Sequence, residues 1–291
     1  MQFEEALEFL SKYKLDNSNP TIEFRQIERL SQCFAINKDG RGIHSNLFDS
    51  KEAIRHLKHN RYKNILAYDR NFFDVDGYFN GSKIFLHPTK EAQYIATQAP
   101  LPETRDQHWK MLWESGCSTT AMLTKIVEGE RVKAHTYLPK LNTEAIFGNL
   151  IVTCTDEKIV GRSFTEKTLI MTFENETRPL THFHFEGWPD FGVLSATELL
   201  MVINTIRKAC KQNTPLVVHC SAGIGRTGTF TAAHSIIEDL EAGACEKNIS
   251  IAERVFFLRS QRNGLVENAK QYNLIYEVVK AHLKSRSDKR V

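Results

Sequence analysis

The fold of this chain is limited most strongly by a glycine-rich loop that lies between an apolar run and a helical segment. Residues 219–228 read HCSAGIGRTG, with a cysteine and an arginine six positions apart. The apolar run 215–218 predicts a buried strand before the loop, and residues 229–238 predict a helix after it. A strand that leads through a short loop into a helix is typical of α/β architectures.

The loop has the composition of an anion-binding site. Amide groups in the first turn of a helix have no intrahelical partner, and the helix dipole adds partial positive charge there. Gly223 and Gly225 let successive amides turn toward one centre, and the guanidinium of Arg226 can bind two oxygens at once. The same positive field favours the thiolate form of Cys220. We therefore interpret Cys220 as a nucleophile that attacks phosphorus.

Composition bounds the class of protein. With 291 residues and 41% hydrophobic content, the chain has the size and apolar fraction of one large globular domain. A net charge of +3 does not indicate a nucleic-acid partner, and no apolar run is long enough for an integral membrane span. A thiolate nucleophile needs a reducing compartment. We expect a cytoplasmic protein without cofactor or metal, and a monomer.

The remaining cysteines carry no such signal. Six scattered cysteines argue against a disulfide framework and against a zinc site. A free cysteine is most often a small buried apolar residue. We interpret five of the six in this way: Cys33, Cys117, Cys154, Cys210 and Cys245.

Apolar periodicity divides the chain into a helical start, a β-rich middle and a mainly helical remainder. Residues 1–35 have helical spacing, and residues 65–185 contain short β-type runs. We predict one α/β (α+β) domain over 1–291, with a central, highly twisted mixed β-sheet flanked by helices. Its core spans about 20–283, between an N-terminal helical segment at 1–19 and a frayed basic tail at 284–291. After the helical start, further helices are predicted at 103–115, 196–211, 226–242, 251–261 and 269–285.

A second segment supplies a candidate proton donor. Expelling a phenolate from phosphorus requires an acid, and residues 188–192 read WPDFG. Trp188 can anchor a mobile loop by burial, and Asp190 can protonate the leaving oxygen. Taken alone, the tripeptide is explained equally well by an ordinary turn.

Several motifs in the same order together resemble one family. The chain is similar to the tyrosine-specific, non-receptor type protein phosphatases of the cysteine-dependent superfamily, over about residues 20–283. The segments that carry this resemblance lie at 60–65, 78–81, 94–101, 128–139, 188–190, 218–230, 261–266 and 271–272.

The resemblance implies a role for each matching residue in catalysis. Cys220 forms a phosphocysteine, Arg226 binds the phosphoryl oxygens, and Asp190 acts first as acid and then as base. Thr227 donates its hydroxyl to the thiolate, and His219 holds the loop. Glu128 pairs with Arg226, although an ordinary loop carboxylate is the alternative, and Trp188 supports the acid loop.

The resemblance also implies how a protein substrate carrying phosphotyrosine is bound. Tyr62 stacks on the substrate ring and sets a pocket depth that only phosphotyrosine spans; the alternative is a half-buried surface ring. Asn64 contacts the peptide backbone, and Lys133 adds positive charge. The complete predicted binding set is Ser221, Ala222, Gly223, Ile224, Gly225, Tyr62, Asn64, Lys133, Glu267 and Gln271.

One residue departs from the family pattern in a way that bears on turnover. Glu267 stands where the family usually has a glutamine that positions the hydrolytic water. A carboxylate there places negative charge beside a phosphoryl group, so we expect slow hydrolysis of the phosphocysteine. Gln271 matches another family glutamine and is expected to compensate.

Two other functions remain open from the sequence. A pseudophosphatase would bind phosphotyrosine proteins without turnover, and Glu267 is the only residue that favours it. A dual-specificity or phosphoinositide phosphatase shares the cysteine and arginine spacing, but usually lacks a tyrosine like Tyr62 and is commonly shorter. Milder departures from the family pattern, at Ala99, Ala134, Leu138 and Leu194, indicate a divergent member and leave open whether its source is viral or cellular.

Overall fold

A computed structural model describes residues 2–35, 48–86, 91–189 and 192–288 of the chain. Its helices are α1 (Gln2–Ser11), α2 (Pro20–Ala35), α3 (Lys51–Arg55), α4 (Arg105–Glu114), α5 (Ala196–Arg207), α6 (Gly225–Glu241), α7 (Ile251–Gln261) and α8 (Ala269–Asp288). Its strands are β1 (Gly81–Ile84), β2 (Tyr94–Thr97), β3 (Thr119–Met122), β4 (Val127–Glu128), β5 (Arg131–Val132), β6 (Glu144–Phe147), β7 (Leu150–Gly161), β8 (Phe164–Phe173), β9 (Glu176–Phe185) and β10 (Leu216–His219).

Eight of these strands form one sheet in the order β1-β2-β10-β3-β9-β8-β7-β6, and β4 pairs with β5 as a separate hairpin. The strands β2, β10, β3 and β9 run parallel to one another, and the outer pairs are antiparallel. The predicted mixed sheet flanked by helices is therefore confirmed. The last strand in the sequence, β10, lies inside the sheet.

The apolar run of β10 is explained by burial on both of its faces. Leu216 and Val218 belong to the apolar cluster beneath α5, α6, α7 and α8, whereas Val217 belongs to the cluster that includes the apolar residues of α4. Successive side chains of a strand point to opposite faces, so a strand covered on both sides needs a continuous apolar sequence. This burial holds the end of β10 in place, and the cysteine loop begins there.

The helices begin and end close to the predicted positions, with two differences. α5 starts at a capping box, in which the Ser195 hydroxyl accepts from the Glu198 amide, but it ends at Arg207 and not at 211. After the C-cap Lys208, the Ala209 amide donates to the Ile206 carbonyl at 3.0 Å, a three-residue spacing that tightens the last turn and ends the α-helix. α8 continues to Asp288, because Arg286 donates a hydrogen bond of 2.9 Å to the Leu240 carbonyl. Residues 284–288 are therefore helical and not a frayed tail.

The expectation for the five remaining cysteines is correct only in part. Cys117 and Cys154 are buried, Cys210 is half-buried, and Cys33 and Cys245 are exposed. Cys33 lies in the last turns of α2 and Cys245 after the end of α6, where apolar periodicity no longer requires a buried side chain. In the described ranges, no helix combines the length and the apolar character that crossing a membrane requires.

Candidate active site

A cavity of about 790 Å³ opens at the carboxyl end of β10. Cys220, which is only 5% exposed, follows the last residue of the strand and contributes to the cavity wall. The predicted site residues that line this cavity are Tyr62, Asn64, Glu128, Lys133, Trp188, Cys220, Ser221, Ala222, Ile224, Gly225, Arg226, Glu267 and Gln271. His219, Gly223 and Thr227 are buried and do not line it. Asp190 lies outside the described residues.

The loop conformation depends on glycine at two positions. Gly223 has a φ of +71°, and a Cβ there would lie 2.0 Å from the Thr97 carbonyl oxygen. A Cβ on Gly228 would lie 2.2 Å from the amide nitrogen of Val266. Real carbon atoms do not approach a backbone so closely, so any larger residue would force these segments apart. The loop is thus packed directly against two neighbouring backbone segments.

Arg262 fixes the loop through its carbonyl groups. Its Nε donates to the Gly223 carbonyl at 2.9 Å, its Nη2 to the Ala222 carbonyl at 3.1 Å, and its Nη1 to the Ser82 hydroxyl at 3.0 Å. Arg262 is fully buried and does not line the cavity. In a trans peptide the N–H points opposite to the C=O. With both carbonyls turned toward Arg262, the amides that follow them are directed away from it and remain available to an anion.

The buried Arg262 is nevertheless charged at neutral pH. Burial lowers the pKa of its guanidinium to about 10, which still leaves the group protonated at pH 7. A cation behind the loop adds to the positive potential that stabilises a thiolate.

Glu128 holds the guanidinium of Arg226 in a two-pronged ion pair. Arg226 Nη2 donates to Glu128 Oε2 at 3.0 Å, and its Nη1 donates to Oε1. Nη1 also donates to the Thr124 hydroxyl at 3.1 Å, and Nη2 reaches the Pro189 carbonyl at 3.4 Å. The Glu128 side chain is 2% exposed and that of Arg226 is 13% exposed, so water screens the pair weakly. The guanidinium of Arg226 therefore has a defined orientation at the cavity wall.

A chain of hydrogen bonds supports the loop from behind through His219. Its Nδ1 donates to the Cys220 carbonyl at 3.0 Å, which leaves Nε2 to accept from the Tyr137 hydroxyl at 2.6 Å. The Tyr137 oxygen in turn accepts from His182 Nε2 at 2.8 Å. Burial lowers the pKa of His219 to about 4, so the imidazole is neutral at pH 7. A neutral ring with one fixed tautomer satisfies both neighbours.

Tyr62 lines the cavity and is hydrogen-bonded to the cysteine loop. Its hydroxyl lies 2.9 Å from Ser221 Oγ, and Ser221 Oγ donates to the Lys133 carbonyl at 2.8 Å. The ring is half-buried and lines the cavity, whereas Asn64 is exposed at its edge. The Lys133 ammonium lies 3.9 Å from Glu128 Oε2. These contacts join three separate segments around Cys220.

Residues at and just before the start of α8 also line the cavity. Gln271, which is 5% exposed, accepts the Glu267 amide at 2.9 Å, and the Asn268 side chain accepts the Gln271 amide at 3.1 Å. A Cβ on Gly225 would lie 2.6 Å from Glu267 Oε2. The Glu267 carboxylate is therefore close to the N-terminal end of α6, where the helix dipole adds partial positive charge.

Two predicted residues each carry a buried polar group without a hydrogen-bond partner among the described residues. The Thr227 hydroxyl is buried and has no hydrogen-bond partner among the described residues. Trp188 is 1% exposed, and its Nε1 likewise has no partner in the described part of the chain. Pro189 and Gly192, which flank residues 190–191 in the sequence, line the cavity.

Three residues that support the site have no predicted role. Arg262, Tyr137 and Thr124 hold the loop carbonyls, His219 and Arg226 respectively. The segments of Arg262 and Tyr137 are among the motifs, but nothing in their sequence shows the distant residues they contact. The role of Arg262 could have been inferred from one signal, its position directly after the apolar helix α7, because a charge buried there requires hydrogen-bond partners. Within the described ranges, no group of three or more His, Cys, Asp or Glu residues could hold a metal ion.

Comparison with known proteins agrees with this arrangement. A sequence model of the protein-tyrosine phosphatase family, described as "Protein-tyrosine phosphatase", matches residues 56–281. The rat receptor-type tyrosine-protein phosphatase F is 37% identical over 233 residues, which cover 76% of this chain and 12% of that protein. The chicken receptor-type tyrosine-protein phosphatase eta is 33% identical over 264 residues, which cover 86% of this chain and 18% of that protein. The chain spans less than a fifth of the length of these relatives.

Solved structures extend the similarity to nearly the whole chain. The catalytic domain of human protein tyrosine phosphatase non-receptor type 18 superposes with a TM-score of 0.81 at 27% identity, covering 96% of this chain and 98% of that one. A structure of the same phosphatase in complex with phosphorylated HER2 peptides gives a TM-score of 0.82 at 26% identity, with coverages of 97% and 99%. The chain belongs to the protein-tyrosine phosphatase family.

Proposed function

We propose that this chain hydrolyses phosphotyrosine in proteins through a phosphocysteine intermediate. The observation that carries the proposal is the position of Cys220 in a cavity whose wall also presents a guanidinium held by a buried carboxylate. Loop amides and Arg226 together provide the fixed donors that a phosphoryl dianion and its transition state require.

In the proposed first step, the Cys220 thiolate forms an S–P bond as the P–O bond to the tyrosine breaks. Asp190 gives its carboxyl proton to the phenolate oxygen as it leaves. Arg226 and the loop amides bind the equatorial oxygens of the transferring phosphoryl group. The products are a phosphocysteine, a dephosphorylated tyrosine and the Asp190 carboxylate.

In the proposed second step, water attacks the phosphocysteine. Asp190 takes a proton from the water, the S–P bond breaks, and inorganic phosphate leaves. Thr227 donates its hydroxyl, which has no partner among the described residues, to the departing thiolate, and Glu267 and Gln271 border the path of the water. The enzyme returns to its starting state, with Cys220 as a thiolate and Asp190 protonated.

The shape of the cavity supports tyrosine as the substrate residue. Tyr62 lines the same cavity as Cys220, and its hydroxyl is hydrogen-bonded to Ser221, so an aromatic side chain borders the space that a substrate ring would occupy. We propose that phosphotyrosine proteins are the partners, since a relative has been solved with phosphorylated peptides. We also propose one domain acting as a monomer in the cytoplasm. Helix α2 supports the single domain, because the Tyr272 and Tyr276 hydroxyls of α8 donate to its Glu23 at 2.7 and 2.6 Å.

The test compares a phosphotyrosine peptide with its phosphoserine counterpart in the presence of a chelator, for the wild type and for Cys220→Ser. Turnover of the tyrosine peptide alone, lost in Cys220→Ser, would support the proposal. A wild type that binds the phosphotyrosine peptide without turnover would instead identify a binding module. Hydrolysis of both peptides would contradict selectivity for tyrosine.

A further inference from the structure

The β4–β5 hairpin borders the cavity and presents a cation to it. The hairpin turns at Gly129, which has a φ of +59°, and its register pairs Glu128 with Arg131. Directly paired residues of two antiparallel strands project to the same side. Arg131 therefore shares a face with Glu128, and both line the cavity, as does Val132.

The backbone of this hairpin is tied to the cysteine loop. The Lys133 amide donates to the Ile126 carbonyl at 2.8 Å, which extends the pairing past Val132. The Lys133 carbonyl accepts the Ser221 hydroxyl at 2.8 Å, one residue from Cys220. The base of the Arg131 side chain thus has a defined position relative to the nucleophile.

The charged groups described around Arg131 form no ion pair with its guanidinium. Both oxygens of Glu128 accept from Arg226, and Lys133 is the further cation near that carboxylate. Arg131 is exposed and forms no ion pair with any described residue, although Glu130 adjoins it in sequence. Among the other residues that line the cavity, Asn64 is neutral, and the exposed Glu267 approaches Gly225.

We propose that Arg131 is a specificity-determining residue, which binds an acidic side chain a few residues away from the phosphotyrosine of the substrate. This inference rests on the proposed function, because the cavity must hold the phosphotyrosine for the flanking residue to reach the hairpin. A guanidinium presents paired donors that match a carboxylate. The selected substrates are therefore acidic phosphotyrosine sequences.

The experiment uses phosphotyrosine peptides that carry glutamate, glutamine or phosphoserine at one position, scanned over the three residues on each side. The proteins are the wild type, Arg131→Gln and, as a matched control, Arg25→Gln. Arg25 is also exposed without an ion pair among the described residues, but it lies on α2 and does not line the cavity. Peptide affinities are measured in parallel on the Cys220→Ser background, with and without Arg131→Gln.

We expect glutamate to raise kcat/KM over glutamine about three-fold at one or two positions, through KM, as is usual for an exposed ion pair. Arg131→Gln brings this ratio to about one, Arg25→Gln keeps it, and added salt reduces it in the wild type. Equal ratios in the wild type, or a ratio that survives in Arg131→Gln, overturn the inference. A gain with phosphoserine but none with glutamate overturns the assignment to a carboxylate. Without any turnover the proposed function fails, and the affinity ratio on Cys220→Ser still decides the role of Arg131.

Discussion

Glu128→Gln isolates the contribution of the ion pair that orients Arg226. Glutamine has the shape of glutamate but replaces one acceptor oxygen with an NH₂ donor and removes the negative charge. Oε1 accepts from Arg226 Nη1 and from the Thr124 hydroxyl, and Oε2 accepts from Arg226 Nη2 at 3.0 Å. Whichever oxygen is replaced, one N–H of Arg226 faces another donor.

The expected size of the effect follows from these contacts. A hydrogen bond to a charged group contributes about 1.5–3 kcal/mol, and at 2% and 13% exposure the two side chains of this pair are little screened. In the proposed mechanism Arg226 contacts the transferring phosphoryl group, so we expect most of this loss in the transition state. At 1.36 kcal/mol per factor of ten, kcat/KM falls about 10- to 100-fold.

The assay is the rate of phosphate release from a phosphotyrosine peptide, together with urea unfolding to show that the variant is folded. Glu130→Gln is the control, since it makes the same change in an exposed carboxylate two residues away that has no ion pair among the described residues. A folded Glu128→Gln enzyme with kcat/KM within two-fold of Glu130→Gln would refute the reasoning.

Three further substitutions test other parts of the site. Gly223→Ala should lower stability by at least about 2 kcal/mol in urea unfolding, because of the positive φ and the 2.0 Å approach to Thr97; an unchanged midpoint contradicts this. Burial lowers the pKa of His219 to about 4 in the folded protein. Between pH 6.5 and 4 the unfolded chain therefore binds more protons than the folded one, and the free energy of unfolding should fall as the pH is lowered through this window. His108→Phe should make that fall shallower in a melting series, since His108 is buried with both ring nitrogens unpaired in the described chain and burial also lowers its pKa; an identical slope contradicts it. In the wild type, release of the dephosphorylated peptide should show a pre-steady-state burst that is much faster than steady-state turnover. Glu267→Gln should reduce the amplitude of this burst and raise kcat. A wild type without a burst contradicts the slow phosphocysteine hydrolysis attributed to Glu267.

The sequence predicts where helices and strands lie along the chain better than it predicts which other elements they contact. The bounds of α7 agree with the predicted 251–261, and β10 follows from its apolar run, because both depend on local periodicity. The position of β10 between β2 and β3 does not follow, since a strand buried on both faces could pair with several others. The cysteine loop is read from local signals, whereas the grip of Arg262 on Ala222 and Gly223 depends on the approach of a distant segment. The end of α8 depends in the same way on one contact with Leu240.

The insertion of the last strand into the middle of the sheet has a consequence for how the protein folds. The contacts that complete the site join residues 98, 159 and 180 positions apart, in Arg226–Glu128, Tyr62–Ser221 and Arg262–Ser82. Closing such long loops costs conformational entropy before any contact forms, and chains dominated by distant contacts fold slowly. A nascent chain that has not yet released α8 from the ribosome lacks one side of the cavity. Activity should therefore appear only after synthesis has passed residue 271, late in the folding of the chain.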